Sequence, residues 1–221
     1  EFRRVLFRSA TGWNKLQNEV LTAVREQDPE RIVFVPAMGW QDYNYIKYAR
    51  VAEEDPNAVV SFHYYLPMLL SHYKMLAWVG YQGAVQYPGV VIPTQSDADK
   101  YPQYASFHKT TYNADRIMGE MSNAASDGRN AGLAVHCGEF GCSKNVAEAM
   151  RLAWFTDMVA AMEANNIPWT LWECLDGGFG FVDMEYGIYR INCPLLKVLT
   201  GKELTDAEAK ALLQKYGFKT E

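Results

Sequence analysis

One carboxylate sits where an apolar strand should end. Glu139 follows Gly132-Leu133-Ala134-Val135-His136-Cys137-Gly138 and precedes Phe140-Gly141. A carboxylate in such company is costly unless it is solvated or used. At a strand terminus a functional role is favoured over a surface accident. Three other apolar runs end on chemistry-bearing side chains. Ala58-Val59-Val60-Ser61-Phe62-His63-Tyr64-Tyr65 carries His63 and Tyr65 two residues apart, hence on one face of a strand. Trp169-Thr170-Leu171-Trp172 ends on an indole, and Arg31-Ile32-Val33-Phe34-Val35-Pro36 is followed by Gly39-Trp40. Taken singly, His63 and Tyr65 also fit satisfied core groups, and Trp172 a core ring. Together, a carboxylate, an imidazole, a phenol and an indole are expected to converge on one rim of strand ends.

The elements that must position these groups alternate. Apolar residues at Trp13, Leu16, Val20, Ala23 and Val24 have helical spacing, and Asp28-Pro29 closes that element. The β-branched run 31–36 reads as a buried strand, followed by a helix from about Asp42 to Glu54. The strand at 58–65 leads into a long irregular stretch from about Pro67 to Pro102, bearing His72, Tyr73, Trp78, Tyr81 and Tyr87. Loops of that length are uncommon unless functional or disordered, and its aromatic content argues against disorder. A helix from about Gln103 to Ala124 precedes the strand 132–138. A helix bearing Val146, Met150, Trp154 and Met158 then precedes the strand at 169–174. Two short helices close the chain, the last with Thr205 and Glu208 in capping-box spacing. Strands buried on both faces, alternating with helices, predict a parallel sheet in an α/β fold. Four strand–helix units make half of an eight-stranded barrel, whose reactive groups gather at the C-terminal ends of its strands. A doubly wound open sheet is the structural alternative, but no G-x-G-x-x-G follows any strand.

Bulk composition narrows the function classes. The 221 residues are 49% hydrophobic and 21% charged, ordinary for a globular domain, with a net charge of −5. No basic stripe supports nucleic-acid binding, and no apolar run approaches the roughly 18 residues needed to span a bilayer. Fourteen Tyr, ten Phe and six Trp without positive charge suit a sugar-binding cleft as well as a large aromatic core. Four cysteines, Cys137, Cys142, Cys174 and Cys193, are too scattered for a disulfide framework. His136, Cys137 and Cys142 match no metal-ligand spacing, so neither metal nor organic cofactor is called for. Glu1 to Ser9 continues no pattern that follows it, and Val5 to Ser9 is similar to a translated sequencing adapter. Residues 1–9 are expected to be a non-native leader, with the domain at 10–221.

The motifs Ser61-Phe62-His63-Tyr64-Tyr65-Leu66-Pro67, Gly138-Glu139-Phe140-Gly141 and Trp169-Thr170-Leu171-Trp172-Glu173, with Ser71-His72 between the first two, carry a resemblance. In this order and strand context the chain resembles glycoside hydrolase family 5, from about Trp13 onward. The resemblance implies a (β/α)8 TIM barrel of which the C-terminal half, about strands 5–8, is present. It implies retaining hydrolysis of a β-linked oligo- or polysaccharide in the manner of a cellulase. Glu139 would be the nucleophile, Tyr65 its orienting phenol, His63 a lining group of the scissile sugar's subsite, and Trp172 the stacking floor. Trp40, His72, Tyr73 and Trp78 would contribute to sugar binding. The family expectation is also a secreted or periplasmic, monomeric intact enzyme.

The family's acid/base Glu, which follows an Asn at the end of strand four, has no counterpart in such a context. Asn18-Glu19 imitates it about 120 residues before Glu139, but it lies within the first amphipathic helix. The true pair is expected upstream, and the chain alone is expected to be a poor catalyst, since a lost general acid removes about 10²–10⁴ in rate. Two other readings remain open. One is a non-catalytic carbohydrate-binding protein, which needs no second carboxylate. The other is a barrel acting on phosphorylated metabolites through Asp176-Gly177-Gly178-Phe179-Gly180, although no Lys or Arg flanks that loop in sequence.

Overall fold

The computed structural model describes residues 9–51, 55–75, 80–175 and 177–221. They fall into two compact units. The first comprises the chain up to Tyr64 with Gly119–Glu139 and Met162–Thr170; the second comprises Tyr65–Met118, Phe140–Ala161 and Leu171–Glu221.

The first unit is built on the sheet. Helix α1 (Ala10–Gln27) starts where Ser9 accepts a hydrogen bond from Gly12 N–H and stops at Asp28. Strand β1 (Val33–Pro36) runs parallel to β2 (Ala58–Tyr64), with Val33 opposite Ala58 and Pro36 opposite Ser61. Trp13 of α1 donates its indole N–H to Pro36 O at 2.9 Å, tying the helix to the end of β1. Strands β3 (Ala134–Phe140) and β4 (Trp169–Leu171) complete the sheet in the order β1-β2-β3-β4. Between β2 and β3 runs helix α2 (Ala114–Ala131), whose Met121, Ala124 and Ala125 are buried. Gly128 of α2 leaves room for Val135, whose methyl a Cβ would overlap at 2.0 Å. Val60, Phe62, Tyr64, Val135 and Cys137 are buried, while Phe34 and Ala134 are exposed.

The second unit holds helix α3 (Glu148–Ala164) up to Ala161, whose Trp154, Phe155 and Met158 are fully buried. It also holds a hairpin of β5 (Val182–Glu185) and β6 (Ile188–Ile191). Tyr186 and Gly187, both with positive φ, form its two-residue turn, which matches the twist of paired strands. Helices α4 (Cys193–Thr200) and α5 (Asp206–Lys215) close the chain, and Thr205 with Glu208 forms the expected capping box.

Two helices expected from the sequence take other forms. The stretch from Asp42 is a 3-10 segment, Tyr43–Tyr48, capped by the Asp42 side chain, and residues 49–51 are not helical. Glu54, where that helix was to end, lies outside the described residues. The helix expected from Gln103 begins at Ala114 instead. Before it, Pro102–Lys109 is 3-10, and Thr111–Tyr112 pairs antiparallel with Gly89–Val90. That pairing gives part of the long 67–102 stretch a structure of its own, together with a short helix at Gln95–Lys100.

Candidate active site

Glu139 is the penultimate residue of β3, and His63 the penultimate residue of the neighbouring strand β2. Their side chains meet, with His63 Nδ1 3.4 Å from a Glu139 carboxylate oxygen, and both are about one-quarter exposed, at 22% and 27%. The approach depends on Gly138. A Cβ there would lie 2.5 Å from Ser61 Oγ and 3.6 Å from the His63 ring. Burial holds the His63 imidazole below its ordinary value, and the Glu139 charge opposes that shift. The pair therefore sets a carboxylate against an imidazole that burial keeps neutral near neutral pH. Asp42 bridges to His63 through the backbone, so β1's continuation runs beside this strand end.

Trp40 belongs to the same unit. It sits in a left-handed turn directly after β1, with φ of 69° at Gly39, 63° at Trp40 and 60° at Gln41. A non-glycine residue held there is strained by about 1–2 kcal/mol. The Trp40 side chain is 83% exposed. A strained backbone presenting an exposed indole is a common signature of a binding platform.

The second unit carries another cluster. Tyr65, His72 and Phe179 pack as three rings, with centroids 4.9 Å apart for Tyr65–His72, 5.2 Å for His72–Phe179 and 5.8 Å for Tyr65–Phe179. Ser71 Oγ–H donates to Tyr65 O at 2.5 Å and lies 2.9 Å from His72 Nδ1. Since that hydroxyl proton is used, Nδ1 of His72 must carry the proton and donate to Ser71 Oγ. Nε2 is then the ring's acceptor, and burial lowers the ring's pKa, keeping it neutral. Trp154 of α3 donates its indole N–H to Leu66 O, fixing the chain just beyond Tyr65. Tyr73 donates its hydroxyl to Gly83 O, and its carbonyl accepts from Ser143 and Asn145.

Trp172 follows β4 and is 46% exposed. Its N–H donates to Phe140 O at 2.9 Å. Gly141 seats it: a Cβ at Gly141 would meet the Trp172 carbonyl at 2.3 Å and the Phe179 ring at 2.9 Å. Sequence reasoning missed Phe179 and the seat at Gly141. The glycines around Phe179 were its one signal, and they were weighed only as a phosphate loop in an alternative reading. That loop's Gly178, Phe179 and Gly180 carbonyls, and the Val182 carbonyl at the start of β5, accept hydrogen bonds from Lys144 and Arg151. Two cations thus do stand beside it, brought from elsewhere in the chain, and they face its carbonyls. Trp78 and Asp176 lie outside the described residues. Asn18 and Glu19 are on α1, as expected: Asn18 donates to Arg50 O, and Glu19 is exposed beside Lys15. Among the described residues no group of three or more His, Cys, Asp or Glu side chains is placed to hold a metal ion. Cys137 and Cys142 are buried thiols, and burial pushes Cys142 up to about 12.

A model of the family described as Cellulase (glycosyl hydrolase family 5) matches residues 5–178. The chain belongs to glycosyl hydrolase family 5. Among curated family relatives, endoglucanase C of Acetivibrio thermocellus is 24% identical over 187 residues, 81% of this chain and 52% of that protein. Endoglucanase C307 of Clostridium sp. (strain F1) matches to the same extent. A solved endoglucanase superposes with a TM-score of 0.68 at 23% identity, covering 88% of this chain and 55% of that one. Cel5A of Thermotoga maritima in complex with cellobiose superposes with a TM-score of 0.64 at 20% identity, covering 86% and 55%. These likenesses identify the fold as a partial (β/α)8 barrel. The chain spans about half the length of the family 5 proteins it matches.

Proposed function

We propose that this chain carries the nucleophile of a retaining β-glycosidase acting on a β-linked glucan. The observation that supports it best is the Glu139–His63 pair at two neighbouring strand ends of a family 5 chain. Glu139 attacks the anomeric carbon, forming a bond from its carboxylate oxygen as the leaving oxygen departs with the glycosidic electron pair. Water then attacks the glycosyl-enzyme and releases the carboxylate. His63 holds a neutral ring against Glu139, and Tyr65 is the phenol assigned to orient it. Trp172 and Trp40 are proposed as stacking surfaces, with His72 and Tyr73 as polar groups for sugar hydroxyls. The acid/base carboxylate is proposed to lie outside this chain, which would leave the chain a poor catalyst for unactivated polymer.

A substrate with an activated leaving group separates these statements, because it needs no general acid. We expect a 2,4-dinitrophenyl 2-deoxy-2-fluoro-β-cellobioside to label the chain stoichiometrically, with the added mass on the peptide containing Glu139. Glu139→Gln should remain unlabelled. Labelling at another carboxylate would overturn the assignment of the nucleophile. Absence of label, with cello-oligosaccharide binding that survives Glu139→Ala, would favour a carbohydrate-binding protein instead. Vigorous hydrolysis of unactivated glucan by the 221-residue chain would overturn the missing-acid reading. Relatives in solved complexes hold cellobiose or mannotriose, so β-mannan oligosaccharides belong in the same screen.

A further inference from the structure

Arg151 is a buried cation that forms no salt bridge among the described residues, although the Asp183 and Glu148 charges act on it. It is 4% exposed, on α3, and its guanidinium spends its donors on main-chain carbonyls. Nε donates to Cys142 O at 2.9 Å, and Nη2 to Gly180 O at 2.8 Å and to Phe179 O. Burying an arginine this way is expensive unless each bond serves the structure. Charge-assisted bonds are about twice as strong as neutral ones, so this cation can hold a loop in which glycines flank the buried Phe179.

The held loop is the one that leaves Trp172. Lys144 reinforces it from the same side of the sequence. Its N–H donates to Gly178 O at 2.8 Å, and its ammonium bonds Val182 O and Asp183 at 2.8 Å each. The segment from Cys142 to Arg151 thus grips the loop at Gly178, Phe179, Gly180 and Val182. Between those grips the Phe179 ring projects onto Tyr65 and His72.

We propose that Arg151 is a positioning residue for sugar binding: by clamping the Phe179 and Gly180 carbonyls it fixes the Phe179 ring, which in turn sets the orientation of Tyr65 and His72. The inference rests on that part of the reading by which this chain binds a β-glucan, not on its hydrolysis. It goes beyond that reading by placing a determinant of affinity on a helix side chain that touches no sugar. A merely structural cation would alter stability alone. A positioning cation alters affinity through Phe179, so the effects of the two residues must overlap instead of adding.

The test is calorimetric titration of cellotetraose into the full chain and into Arg151→Lys, Phe179→Leu and their double variant, with a thermal midpoint for each. We expect each single variant to weaken binding about tenfold and the double variant to be no worse than the weaker single. Lys keeps the charge but reaches fewer carbonyls, so partial loss is the expected result for it. If Arg151→Lys does not fold, Lys144→Met with Phe179→Leu supplies the same cycle from the exposed side of the clamp. Unchanged affinity in the folded variants, or additive losses, would overturn the inference and leave Glu139 labelling untouched. No cellotetraose binding by the unmodified chain would overturn it as well. Affinity that depends on Arg151 while Glu139 stays unlabelled would keep it and overturn the glycosidase reading.

Discussion

His63 Nδ1 lies 3.4 Å from the Glu139 carboxylate, each on the penultimate residue of its strand. Burial and the carboxylate pull the imidazole in opposite directions, and burial dominates. Removing the charge while keeping the shape should therefore lower the His63 pKa further. Glu139→Gln, followed by histidine titration in NMR spectra, is expected to move the His63 midpoint downward from its value in the unmodified chain. An upward movement would mean that the two groups do not share a field.

Stability should depend on acid through the same chemistry. His63, His72 and His136 are all held below 6.5 by burial. The unfolded chain binds protons there that the folded chain refuses, so stability is complete above about pH 6.5 and declines as pH falls through that value toward the folded pKa values. The thermal midpoint is expected to fall between pH 7.5 and 5. His72→Asn removes one of the three contributions and should flatten the profile. A midpoint constant across that window would refute the argument.

The four strands of the main sheet were legible as short apolar runs, and a strand end is a place that periodicity can locate, whereas the Val182–Glu185 and Ile188–Ile191 hairpin and the Gly89–Val90 pairing with Thr111–Tyr112 were not read. Glu139, His63, Tyr65 and Trp172 were proposed from that position. The 3-10 segments were not legible. Asp42 and Pro102 are helix-start signals, and nothing local says that the turn beginning there will tighten and stop. The Phe179 cluster was hidden for another reason. Arg151 lies 28 and 29 residues before the carbonyls it holds, and main-chain acceptors leave no residue-type signature. A glycine-rich loop held by carbonyl bonds therefore looks, in sequence, like one that would hold a phosphate.

Trp40 offers a separation of stability from function. Its φ of 63° is a conformation that glycine adopts without penalty. Trp40→Gly should raise stability by about 1 kcal/mol, the strain being relieved and an exposed ring lost. The same change should weaken cello-oligosaccharide binding about tenfold, as expected when a stacking surface is removed. Equal affinity in Trp40→Gly would show that the exposed indole serves no sugar.

The two glycines flanking Glu139-Phe140 should respond unequally to the same methyl. At Gly138 the added Cβ meets Ser61 Oγ, a hydroxyl that can rotate aside, and the His63 ring stays at an ordinary 3.6 Å. Gly138→Ala is therefore expected to destabilise by about 1 kcal/mol or less, and Ser61→Ala should recover most of it. At Gly141 the Cβ meets the Trp172 carbonyl at 2.3 Å, and a main-chain oxygen has no rotamer to retreat to. The strand end must move, and with it the Trp172 N–H bond to Phe140 O. Gly141→Ala is expected to cost about 2–4 kcal/mol and to weaken oligosaccharide binding in whatever fraction stays folded. Urea melts of the two variants, with equal slopes required for comparison, check the order. A Gly141→Ala protein as stable as Gly138→Ala would mean that Trp172 is not seated on Gly141.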